Sequence, residues 1–159
     1  MSAPLDDERL TAVGLFLEAH AGLSALMRRR MAEYPELPDQ SLEVLLRLAR
    51  SGGELRMSDL AAQAGLSPSG LTRAVDRLEA AGLAGRSSCP SDRRGAYAVV
   101  TDKGRKVLDA VIPIHLADMD EHFTGLLSPE ELAAFTATLR KLRDHLNPGA
   151  AQLTPECPA

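Results

Sequence analysis

Within four residues, Gly65, Leu66, Ser67 and Pro68, the chain stops one helix and starts another, and that interruption constrains what can be built around it. A glycine at Gly65 supplies the left-handed backbone position that ends a helix. Ser67 then stands at a cap position, and Pro68 at the first helical position, where an amide hydrogen has no partner to lose. Upstream, Leu60, Ala61 and Ala64 form the apolar side of a short helix that Ser58 is expected to cap. Downstream, Leu71, Ala74, Val75 and Leu78 share one helical face, while Ser69, Arg73, Asp76 and Arg77 project from the other at about 100° per residue. Small Ala61, then Gly65 and Leu71, permit the close crossing of a helix-turn-helix. After Gly82, Arg86 to Cys89 and Ala96 to Val100 read as two short strands enclosing the tip Pro-Ser-Asp-Arg-Arg-Gly, and Glu54 to Met57 is expected to add a further short strand. The fold class is mainly α with a small β-hairpin wing: a winged helix-turn-helix.

An exposed helix face of short polar groups and arginines suits the floor of a DNA major groove. The net charge of -4 does not argue against this, because distribution matters more than the sum. Residues 54–104 hold seven Lys or Arg against six Asp or Glu, leaving eleven against sixteen elsewhere, so the acid lies outside the reader. Fifteen of the eighteen basic residues are Arg, in keeping with a bacterial, GC-rich source.

The helix-turn-helix, Arg86, the spaced Asp92 and Arg94 of the wing and the run Val100-Thr-Asp-Lys-Gly104 together resemble the multiple-antibiotic-resistance regulator (MarR) family. The resemblance implies a homodimeric, cytoplasmic transcriptional regulator, most simply a repressor, acting on a palindromic operator in double-stranded DNA. It also implies that Arg94 enters the minor groove, where a narrow A·T-rich groove favours an inserted cation. Arg86 and Arg93 would be further DNA contacts, and Asp92, also counted with the DNA-binding set, would orient Arg94 or pair with Arg86. Ser67, Ser69, Thr72, Arg73 and Arg77 would meet phosphates and bases from the recognition helix, Arg73 being the expected base contact.

Long apolar seams flank the reader. From Leu5 to about Met31, Leu10, Val13, Leu17, Met27 and Met31 fall at steps of three and four, with His20 and Ser24 in the same register and Arg28, Arg29 and Arg30 near the end. Pro35 and Pro38 break the chain before a helix from Gln40 to Arg50. Thr101 is expected to cap a long helix bent by Pro113, and Ser128, Pro129 and Glu131 form a capping box. Leu132, Phe135, Leu139, Leu142 and Leu146 then make a coiled-coil-like seam, too regular to leave in water. The organisation expected is an N-terminal dimerisation helix (1–36), a winged helix-turn-helix (37–104), C-terminal dimerisation helices (105–147) and a flexible tail (148–159).

Small aromatic or phenolic effectors are implied by the same resemblance, with His20, Ser24 and His115 as candidate lining residues. Cys89 at the wing base is a candidate redox position, although a plain buried thiol is the simpler reading. His115, Asp118 and His122 occupy i, i+3 and i+7 of one helix without a convincing further ligand, so no metal and no cofactor is expected. Cys89 and Cys157 are too few for a disulfide framework. Neither a leading signal-type run nor eighteen consecutive apolar residues occurs, so no membrane association is expected. A protein-binding winged helix is the alternative reading. No nucleophile elbow, phosphate loop or carboxylate pair appears, so an enzyme is not expected.

Overall fold

The computed structural model describes residues 4–38, 41–89 and 92–150, with the side chains of 4 and 88–95 outside that description. The described chain divides into two compact units, Met1–Tyr34 and Pro35–Ala159.

The first unit is a 3-10 turn, Pro4–Asp6, followed by helix α1 (Glu8–Met31). The expected continuous helix from Leu5 is therefore divided, because Asp7 adopts extended backbone and accepts the Arg9 amide at 2.9 Å as an N-cap. The apolar positions of α1 stay exposed, Leu10, Val13 and Leu17 among them. By length and composition alone α1 is apolar enough to cross a bilayer, contrary to the count of uninterrupted apolar residues. The difference arises because Thr11, Glu18, His20 and Ser24 interrupt the run, while the leucines, Val13, Phe16 and alanines around them keep the average high.

The second unit opens with α2 (Leu42–Arg50), with Ser41 at its N-cap and the expected start at Gln40 outside the described residues, then β1 (Glu54–Arg56), α3 (Met57–Ala64) and α4 (Pro68–Ala80). Gly65 has φ 64°, and the Gly65 and Leu66 amides close the last turn of α3, as the sequence leads one to expect. Ser58 does not cap α3. The strand runs directly into the helix, so Arg56 takes the N-cap position and Ser58 falls inside, its Oγ 3.2 Å from Asp59 Oδ1.

The wing is β2 (Ala84–Cys89) and β3 (Asp92–Val100), and β3 lies between β2 and β1 in an antiparallel sheet. Both strands are longer than expected. Ser88 pairs with Ala96 but Cys89 with Asp92, so Arg93, Arg94 and Gly95 form a bulge in β3 where a six-residue tip was expected. A bulge depends on cross-strand pairing, which no local pattern encodes. Arg56 lies over the Tyr97 ring, 5.9 Å from its centroid, fixing β1 to β3.

The core of this unit is built from the predicted faces. Leu45 and Leu48 of α2, Leu60 of α3, and Leu71, Val75 and Leu78 of α4 are all buried, with Leu83 and Ala98 completing it. Helix α5 (Asp102–His122) adds Leu108 and Val111, and runs through Pro113 as one helix. Helix α6 (Pro129–Leu146) begins with the expected capping box: the Ser128 amide donates to Glu131 Oε2 at 2.8 Å and the Glu131 amide to Ser128 Oγ at 3.2 Å. Phe135 meets Phe123 edge-on, but the far end of the seam is open, with Leu146 76% exposed. Residues 148–150 were expected to begin a flexible tail. Instead Pro148–Ala150 forms a 3-10 turn, and Asn147 Nδ2 donates to the Ala62 carbonyl of α3 at 2.8 Å.

Candidate nucleic-acid interface

The interface begins at the restart of the helix. Ser67 Oγ accepts the Gly70 amide at 3.1 Å and lies 3.3 Å from Ser69 Oγ, while Thr72 Oγ1 donates to the Pro68 carbonyl at 2.9 Å. These local bonds orient three hydroxyls at the start of α4, where unpaired helix amides favour an anion. Ser67, Ser69, Thr72, Arg73, Asp76 and Arg77 are all exposed, whereas Leu71, Ala74, Val75 and Leu78 between them are buried. The helix is thus divided into a core side and a solvent side as its periodicity predicts. Gly65, Leu66, Ser67, Gly70, Arg73 and Arg77 border a shallow concavity of about 650 Å³ with Ala74. It is open and carries two guanidinium groups.

Arg86 has a different setting from the one expected. Its guanidinium donates to Asp76 Oδ1 at 2.6 Å, to Glu79, and at 3.4 Å to the Thr72 carbonyl. Asp76 and Glu79, one turn apart on α4, thus grip the wing strand β2 near its start. Sequence reasoning considered Asp92 as the partner and overlooked this pair. The available signal was two acids at i and i+3 on the recognition helix, followed by a lone arginine after the turn. The side chains of Cys89, Asp92, Arg93 and Arg94 lie outside the described residues, although their backbones belong to β2 and β3.

The Val100 to Gly104 run, a mark of resemblance in which Thr101 is also the expected cap of α5, holds the wing to the end of α4. Thr101 Oγ1 accepts the Gly104 amide at 3.0 Å and donates to the Gly82 carbonyl at 2.8 Å. Lys103 Nζ donates to the Ala81 carbonyl at 2.7 Å, where a cation complements a helix C-terminus. Gly104 packs so closely that a Cβ would overlap the Leu83 carbonyl oxygen. This is close approach of backbone to backbone, the situation that requires glycine.

The other candidate residues are distributed between the units. His20 stacks on Phe16 with ring centroids 6.4 Å apart, and its Nε2 lies 3.4 Å from Ser24 Oγ, all on α1. His115 is half-buried on α5, and its Nδ1 is buried with no hydrogen-bond partner among the described residues. The suggested metal-like set of His115, Asp118 and His122 is not the one whose donor atoms gather. Asp118, Glu121 and His122 have theirs within 4.8 Å of one another, because i, i+3 and i+4 share a helix face more closely than i and i+7.

The family model described as MarR family matches residues 36–95, which hold α2 to most of the wing. Over nearly the whole chain, the crystal structure of AbsC, a MarR family transcriptional regulator from Streptomyces coelicolor, is similar at 33% identity and a TM-score of 0.81, covering 91% of this chain and 98% of AbsC. The chain belongs to the MarR family. A second MarR family regulator from the same organism, Sco3205, solved in complex with DNA, matches at 29% identity and a TM-score of 0.80, covering 96% of this chain and 95% of that one. The HTH-type transcriptional regulator YkoM of Bacillus subtilis is 33% identical over 101 residues, 64% of this chain. The chain spans 65% and 52% of the lengths of the first two curated relatives it matches. The winged helix with flanking helices is the MarR architecture, so the fold class read from the sequence holds.

Proposed function

We propose that this MarR family chain is a homodimeric, ligand-responsive repressor, acting in the bacterial cytoplasm on a palindromic operator in double-stranded DNA. The observation that carries the reading is the solvent face of α4, where Ser67, Ser69, Thr72, Arg73 and Arg77 surround an open concavity while the opposite face of the same helix is core. Its fit to DNA is supported by the DNA complex of Sco3205, which shares this fold at 29% identity. In this reading α4 enters the major groove, with Arg73 reading a base edge and Arg77 a phosphate. Arg93 and Arg94, on the bulge of β3, reach the adjacent minor groove, ordered by Asp92. Arg86 acts mainly through Asp76 and Glu79, setting the angle of the wing on the recognition helix.

Two copies are joined by the exposed seams of α1 and α6, so the two readers meet successive major grooves roughly 34 Å apart. A small aromatic or phenolic effector then shifts affinity by binding one arrangement of the dimer better than the other. His115, with an unused buried ring nitrogen, is the polar group best suited to such a ligand, and His20 and Ser24 are the further candidates. The relatives are regulators rather than enzymes, which favours a binding function without catalysis.

The test is fluorescence anisotropy on labelled DNA from the intergenic region beside the gene and on a randomised pool, at two salt concentrations. The expected result is binding that weakens steeply with salt, as releasing condensed counterions into a more concentrated solution gains less entropy, and that Arg94→Ala weakens further. Equal, poor binding by both proteins to both DNAs would overturn the reading and favour a protein-binding winged helix.

A further inference from the structure

The last helix of the chain is tied to the first helix of the reader at one side chain. Helix α6 ends where the Asn147 amide donates to the Arg143 carbonyl at 2.7 Å, immediately after Leu146, the final residue of the apolar seam. The Asn147 side chain turns to α3, where Nδ2 donates to the Ala62 carbonyl at 2.8 Å. Ala62 is one of the last four residues of α3, whose carbonyls have no continuing helix to accept from. The Gly65 amide reaches the same oxygen at only 3.3 Å, so Asn147 supplies the shorter of its two bonds. The acceptor also fixes the amide orientation, since only the nitrogen of an amide can donate to a carbonyl. The turn beyond is closed by the Ala150 amide on the Asn147 carbonyl at 3.0 Å, which brings Gly149 against the Ala62 methyl.

We propose that Asn147 is a positioning residue for DNA recognition: a side-chain cap on α3, donated from the end of the α6 seam, that fixes how far apart a dimer holds its two readers. The inference rests on the proposed regulator reading. The seam ends one residue before Asn147, and α3 packs directly against α4, so a displacement of the end of α6 reaches the recognition helix through this hydrogen bond and the turn that supports it, beside the longer path through α5. An operator with the correct half-site separation is then favoured over one with a base pair more or less. Without the cap, each reader remains folded by its own core but takes up a range of angles relative to α6.

The experiment compares the full chain with Asn147→Ala, which removes the donor, and Asn147→Asp, which keeps the shape but offers the carbonyl only a carboxylate. The probes are synthetic duplexes carrying one copy of the half-site recovered from the randomised pool, or two inverted copies with the separation varied in single base-pair steps. Sedimentation checks the dimer and amide hydrogen exchange follows α3. Both variants are expected to remain dimeric and to bind the single half-site as wild type does. On the preferred palindrome they should bind about three- to tenfold more weakly, the scale of one lost hydrogen bond, and show a flattened dependence on separation. Exchange should quicken at Gly65 and Leu66. An equal loss on single and double half-sites, or an unchanged separation profile, would overturn the proposal. Should the wild-type chain bind no DNA, the regulator reading falls by itself, and exchange at Gly65 and Leu66 in the dimeric variants then decides the cap: unchanged protection overturns it.

Discussion

Gly104 shows how little freedom the junction between wing and α5 allows. Any side chain there meets the Leu83 carbonyl, a backbone atom that cannot rotate away, while the Thr101 hydroxyl holds the Gly104 amide from the other side. Gly104→Ala is expected to destabilise the second unit by about 1–3 kcal/mol, the usual range for overpacking, seen as a thermal midpoint lowered by several degrees. A midpoint unchanged within a degree would show that the strand end can shift. Arg86 illustrates the opposite case, a residue whose chemistry was legible and whose partner was not. A guanidinium beside the reader invites a phosphate contact, yet it is satisfied by Asp76, Glu79 and the Thr72 carbonyl. Those partners are seven to fourteen positions away in sequence, and only the packing of β2 on α4 brings them together.

Among the elements, the ones read correctly are those whose ends are decided locally. Ser67 with Pro68, Thr101 and the Ser128–Glu131 box each act within three residues, so their signals survive any tertiary context. Where an end depends on something distant, the local pattern misplaced it. The start of α3 is set by β1 pairing with β3, the wing tip by a bulge between paired strands, and the last turn by Asn147 reaching Ala62. The start of α1 was missed for a different reason, since Asp7 is a good cap that the apolar seam obscured. It gives the helix a pH-dependent end. The Arg9 guanidinium, and then its backbone amide, hold the Asp7 carboxyl below the usual carboxylate range. A lowered value in the folded state means that the cap contributes above the ordinary carboxylate value near 4, and is lost as pH falls through the lowered one. Protection of the Arg9, Leu10 and Thr11 amides, taken relative to the intrinsic exchange rate at each pH, is expected to fall only in that acid range, and Asp7→Asn should abolish the dependence. Protection already lost at pH 6 would exclude Asp7 as its source.

At the scale of the whole molecule, a self-sufficient reader is flanked by helices whose apolar faces are incompletely covered. Leu45, Leu60, Leu71 and Leu78 lie fully buried within the second unit, whereas Leu10 and Leu17 of α1 and Leu142 and Leu146 of α6 are exposed. The flanking periodicity was legible, because a seam at steps of three and four is a property of the sequence. In the proposed dimer a second copy covers it. The Thr101 junction also has a kinetic consequence. Its bond to Gly82 spans 19 positions, whereas the bond from Asn147 to Ala62 spans 85. Short-range contacts lose less chain entropy on closing and tend to form first, so α4, the wing and the start of α5 belong to the folding nucleus, and the end of α6 docks after the barrier. Thr101→Ala should therefore slow refolding in stopped-flow measurements, while Asn147→Ala leaves refolding unchanged and speeds unfolding. The reverse pattern would place the nucleus in the C-terminal helices. A chain emerging from the ribosome would, in that order, complete its reader before its last helix has been made.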